Sequence, residues 1–136
     1  MASITAIEGI GPRYRKRLED ADIRTCEKLL EAGATRKGRK RLADTCGLSD
    51  KRVLEWVNRA DLMRINGVST QYSDLLEAAG VDTVKELRRR KPANLHQAML
   101  EANERRKTPL VRQVPALSQV ERWIGQAKEL PAVVKY

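Results

Sequence analysis

Apolar residues recur along this chain at spacings of three and four, and no stretch keeps the strict alternation of a half-buried strand. That pattern predicts helices throughout and no sheet. Pro12 suits the first turn of a helix after Gly11, with Leu18 and Ala21 on a buried stripe that runs to Asp22. Thr25, Thr35 and Ser49 each precede such a stripe and predict N-caps for helices over 26–32, 36–46 and 50–61. Farther along, Ser69 or Thr70 predicts another cap and Gly80 a stop. Thr83 with Glu86, and Ser118 with Glu121, fit the box in which a hydroxyl residue and a Glu three later satisfy each other's backbone amides. Pro109 and Pro115 make 104–115 a loop.

The pattern occurs twice. Ile7-Glu8-Gly9-Ile10-Gly11-Pro12-Arg13-Tyr14 returns 58 positions later as Ile65-Asn66-Gly67-Val68-Ser69-Thr70-Gln71-Tyr72. Leu18, Ala21, Ile23, Thr25, Cys26 and Leu29 then fall on Leu76, Ala79, Val81, Thr83, Val84 and Leu87. Trp56 and Trp123 also match, but 67 apart, which places nine extra residues in the loop of the second copy. The division predicted is 1–64 for the first repeat, with its turn at 9–11, and 65–136 for the second, with a similar turn at 67–69 and a loop at about 104–117.

Charge narrows the partners. The chain carries 27 basic against 18 acidic residues, a net charge of +9, shared as +5 over 1–64 and +4 over 65–136. A polyanion is the partner class this favours. Five aromatic residues and no Phe are too few for a platform that stacks successive single-stranded bases. Cys26, Cys46 and the single His96 lie too far apart in sequence for a zinc cluster, so no metal or other cofactor is expected. No apolar run spans a membrane and the start lacks a signal-peptide pattern, so the expectation is a cytoplasmic protein with no membrane partner. No Gly-Lys-Ser/Thr loop occurs and no Ser-His-Asp or Cys-His arrangement is suggested, so no enzymatic activity is expected.

The residues that carry chemistry gather at the first turn. Gly9 and Gly11 lack side chains and can expose backbone amides to an anion, and a helix opening at Pro12 aims its free amides and positive dipole end at the same place. Arg13, Arg15, Lys16 and Arg17 follow at once, a combination that suits phosphate contact without base reading. This hydrophobic-Gly-hydrophobic-Gly turn, with Leu18 and the exit Ala21-Asp22-Ile23-Arg24-Thr25, resembles the helix-hairpin-helix motif. From about Ile4 to Leu130 the chain resembles an uncharacterised two-repeat bacterial family of tandem helix-hairpin-helix proteins. The resemblance implies an all-α fold of two tandem repeats packed into one compact unit, and a sequence-independent grip on a duplex DNA strand through Gly9, Ile10, Gly11 and Arg13. The second copy departs from the motif, with Ser69 for the second glycine and Thr70, Gln71, Ser73 and Asp74 where the first has proline and cations.

A tight turn alone also accounts for Gly9 and Gly11, and helix-hairpin-helix units also serve as packing modules. A basic run is usually a solvated face or the end of a helix, which fits Arg88 to Lys91 and is the ordinary meaning of Arg105-Arg106-Lys107. The run 36–41 fits that meaning poorly because it opens a helix, so Arg36, Lys37, Arg39 and Lys40 form a second candidate phosphate contact. The function expected is binding of duplex DNA or another nucleic acid. The alternative is a protein–protein assembly module that uses the same scaffold without nucleic acid.

Overall fold

Thr25, Thr35, Ser49, Ser69 and Thr83 each cap a helix, as their positions in the sequence predict. The computed structural model describes residues 3–7 and 9–136, and among these the protein is all-helical. Eight α-helices run in order: α1 Pro12–Asp20, α2 Cys26–Ala32, α3 Arg36–Cys46, α4 Asp50–Leu62, α5 Thr70–Ala78, α6 Val84–Leu87, α7 Pro92–Glu104 and α8 Leu117–Glu129. A single 3-10 turn precedes them at Ile4–Ala6, and the one isolated bridge among the described residues pairs Ser3 with Thr25. None of the helices is long and apolar enough to cross a membrane among the described residues. The chain divides into two units, Met1–Asp61 with Val133–Tyr136, and Leu62–Ala132.

In the first unit the hydroxyls of Thr25, Thr35 and Ser49 accept from the backbone amides of Lys28 (3.2 Å), Gly38 (3.0 Å) and Arg52 (3.1 Å), three positions on in each case. These bonds fill amides that a helix start leaves open, and each is worth about 1 kcal/mol. Leu18, Leu29, Val53 and Val57 are fully buried between the helices. Gly33 and Gly38 let the helices close up: a Cβ on Gly33 would run into Val57 Cγ2, and one on Gly38 into the carbonyl oxygen of Ala32. The chain's last residues complete this unit. The amide of Lys135 donates to the Ala34 carbonyl at 2.7 Å, and Val134 is buried.

The second unit is built around Trp123, Leu75, Leu76, Leu87, Met99, Val120 and Ala127, all without solvent exposure. Ser69 and Thr83 cap α5 and α6 through the amides of Tyr72 and Glu86. Two capping expectations are corrected here. Thr83 fills its half of the box, but the Glu86 carboxylate takes Arg90 at 3.0 Å. Ser118 is not a cap: α8 starts earlier, because Ala116 is extended after Pro115 and its carbonyl already accepts from Gln119 and Val120. Between α7 and α8 the loop falls where the prolines placed it. Asn103, buried at the end of α7, closes it by donating from Nδ2 to the Val111 carbonyl (3.1 Å) and accepting the Val111 amide at Oδ1 (3.2 Å).

Candidate nucleic-acid interface

Ile7, Ile10 and Trp56 are buried while Gly9 and Gly11 are exposed, so the first turn hangs its apolar residues inward and turns its backbone out. Glu8, the second residue of the motif, lies outside the described residues. The Ile10 amide donates to the Ile7 carbonyl at 3.3 Å, and Gly9 takes φ +95°, where an L side chain is strained. A Cβ there would also meet the Trp56 indole nitrogen at 3.4 Å. Fold geometry therefore accounts for Gly9. The Tyr14 ring packs on Trp56 at 5.5 Å between centroids and supports the turn from below.

Gly11 has no such structural reason. Its φ of −81° and ψ of 179° suit any residue, and a Cβ on it would meet nothing within 4 Å. It is the N-cap of α1 and offers no side chain to the helix start, while Pro12 has no amide to fill. The amides of Gly11, Arg13 and Tyr14 consequently make no hydrogen bond to another described residue. Three donors at a positive dipole end are thus left without a partner among the described residues.

The cations of the first run divide by role. Arg13, Arg15 and Lys16 are exposed, with Arg15 Nε paired to Glu19 Oε1 at 2.8 Å. Arg17 is half-buried and donates to the carbonyl of Cys46 at 3.0 Å, its guanidinium 5.9 Å from the centre of the Tyr14 ring. It holds the C-terminal end of α3 and is spent on the fold. One cation of this neighbourhood is invisible in the local motif: Arg52, exposed on α4, donates to the Tyr14 hydroxyl at 3.1 Å and stands 5.5 Å over its ring. Only folding brings α4 beside the start of α1.

The second run splits as well. Arg36, Lys37 and Lys40 are exposed, but Arg39 is 5% exposed. Its guanidinium donates to the carbonyls of Gly33 (2.9 Å), Ala34 (3.2 Å) and Lys135 (2.7 Å), which removes it from the set that could reach a phosphate. A helical spacing gives this away in the sequence: Arg39, Leu42, Ala43 and Cys46 share the buried face of α3. Arg36 and Lys37 open α3, whereas Arg17 docks at its other end, about 15 Å along the axis at 1.5 Å per residue. The run is therefore not gathered onto the turn at Gly9.

The second unit has a turn of the same geometry. Val68 donates to the Ile65 carbonyl at 3.1 Å, Gly67 takes φ +93°, and Tyr72 packs on Trp123 at 5.4 Å. Ser69 stands in the backbone conformation of Gly11, at φ −84° and ψ 178°, but its hydroxyl accepts the Tyr72 amide at 3.4 Å. No Lys or Arg lies between Ile65 and Val84.

A family model described as a domain of unknown function, DUF4332, matches residues 8–130. The chain belongs to this family. No curated protein and no solved structure gives a match. The match runs through both turns of this DUF4332 chain, from just before Gly9 to just after α8. Both cysteines of the DUF4332 domain are free and buried, and burial together with Glu27 pushes the Cys26 thiol up to about 11. Burial raises the Cys46 thiol too, against the opposing charge of Arg17. Thiols held neutral in this way are poor nucleophiles. Among the described residues no group of three or more His, Cys, Asp or Glu side chains could hold a metal ion.

Proposed function

We propose that the two units are helix-hairpin-helix repeats, and that the first grips the phosphate backbone of duplex DNA without reading its sequence. Gly11 carries this reading. A glycine that neither backbone conformation nor packing demands, set before three unfilled amides and beside exposed Arg13, Arg15 and Lys16, is what close approach of an anion requires. Arg52 adds a fourth exposed cation near the same helix start, and Arg36, Lys37 and Lys40 supply charge from α3. The phosphates are held by backbone donors and mobile cations, so affinity depends steeply on salt. The second turn, with its amide filled by Ser69 and no cation after it, suits a packing role, which is the observation favouring a protein-docking reading for that turn.

The test is a titration of fluorescently labelled duplex at several salt concentrations. If about five phosphates are neutralised, log K falls against log salt with a slope near −4.5. Changing Arg13, Arg15 and Lys16 together to Glu should abolish binding and leave the helical content intact. Gly11→Ser, which gives α1 the cap that α5 already has, should stabilise the fold by a few tenths of a kcal/mol and still weaken binding. Parent-like binding by the triple variant sinks the proposal. A single stoichiometric protein recovered from nuclease-treated extract, with no duplex binding by the parent, would establish the docking alternative.

A further inference from the structure

The second unit carries twelve basic and eight acidic residues, and four of the twelve, Arg105, Arg106, Lys107 and Arg112, lie in the loop between α7 and α8. The loop contains no acidic residue, so the rest of the unit is balanced at eight against eight. The whole positive excess of this unit sits on one excursion of chain. It belongs to the segment that the first copy of the sequence pattern lacks.

The excursion is built, not slack. Asn103 imitates a backbone segment and pairs with both the amide and the carbonyl of Val111, and both residues are buried. Leu110 and Val114 pack against the core of the unit. Residues 104–110 are therefore pinned at both ends, and the cations at the tip are presented from a fixed base. Arg105 caps α7 and pairs with Glu101 at 3.4 Å, as a helix C-terminus invites. That account does not reach Arg106, Lys107 or Arg112, which are exposed past the helix end.

We infer that this clamped loop is a second, independent contact for nucleic-acid phosphates, through which the second unit binds in place of its uncharged turn. The inference rests on the nucleic-acid reading of the protein but not on the hairpin. Mobile cations without a base-reading element again imply backbone contact. An acidic peptide would be met less well, because its sparser charge condenses fewer counterions and so returns less on binding than a duplex does.

The test uses the full chain and the same labelled duplex. Changing Arg106, Lys107 and Arg112 to Gln should reduce the steepness of the salt dependence by about 2.7, at 0.9 per contact. Changing the exposed Lys85, Arg89 and Lys91 of the same unit to Gln removes equal charge and should leave the slope near that of the parent. Asn103→Ala keeps every cation but unfastens the loop, and should weaken binding while the helical signal persists. A loop variant with the parent's slope, or equal losses from the two sets of Gln substitutions, overturns the inference. So does polyglutamate that competes as well as duplex. If the loop variant is unaffected while the Arg13/Arg15/Lys16 variant is crippled, the hairpin reading stands alone. The reverse result leaves the loop and removes the hairpin.

Discussion

The turns at Gly9 and Gly67 share a frame and differ in what they leave open. Each has a glycine at positive φ, a closing amide-to-carbonyl bond and a Tyr–Trp pair at about the same separation beneath it. In the second, a serine hydroxyl fills the helix-start amide; in the first, a glycine leaves it bare and cations follow. Shape is thus set by the buried residues, and the proposed binding capacity by one capping position and the charges after it. A fold can keep the first while gaining or losing the second.

If the frame is common property, both turns should depend equally on their indoles. Trp56→Ala and Trp123→Ala should each cost about 3–5 kcal/mol, read by urea unfolding through the tryptophan that remains. A cost under about 2 kcal/mol in one of them would end the equivalence.

The units should part company in alkali. Cys26 opens α2 where Val84 opens α6, and the folded thiol ionises at about 11 against 9.0 in the unfolded chain. Below pH 9 neither state has lost the proton and this contribution is fully present. As pH rises from 9 toward 11 only the unfolded chain ionises, so stability falls by about 2–3 kcal/mol. Cys26→Val should abolish that loss, measured as the difference between parent and variant across the alkaline range. A variant with the parent's pH dependence would show that the thiol does not set it.

The smallest expected effect concerns the exits from α1 and α5. Gly80 takes φ +96° after α5, whereas Asp22 holds φ +66° after α1. Asp tolerates this region better than most residues but not without strain. Asp22→Gly should stabilise the protein by up to about 1 kcal/mol in thermal or urea unfolding, because the exposed pair with Arg24 that it gives up is worth little. A destabilised variant would mean that the carboxylate is a real fastening.

Much of the helical order was legible because caps act locally: Thr25, Thr35, Ser49, Ser69 and Thr83 each announce a helix within three residues. The prolines marked the loop for the same reason. Ser118 misled because the local match competes with Ala116, whose extended backbone after Pro115 starts α8 sooner. The helix Pro92–Glu104 carries no such signal, because its N-cap, Lys91, makes no side-chain bond to the helix start. At the candidate site, the exposed glycines and the cations of α1 could be read from the chain. Arg39 is separable from its neighbours only by its spacing with Leu42, Ala43 and Cys46, and Arg17 not at all, since the carbonyl of Cys46 reaches it from distant sequence. Arg52 was hidden for the same reason, its partner Tyr14 lying far back in the chain.

Lys135 gives the first unit an unusual dependence. Its carbonyl is one of three that satisfy the buried guanidinium of Arg39, and its amide closes on Ala34, yet the entire second unit is threaded between α4 and that tail. The amino-terminal unit is therefore a discontinuous domain. A fragment ending at Asp61 would strand a cation without its last acceptor, and splicing the tail directly onto such a fragment is the sounder way to isolate it. During synthesis the ribosome must release the chain through Lys135 before Arg39 gains all of its carbonyl acceptors, so the unit whose helices emerge first is completed only after those of the second have been made.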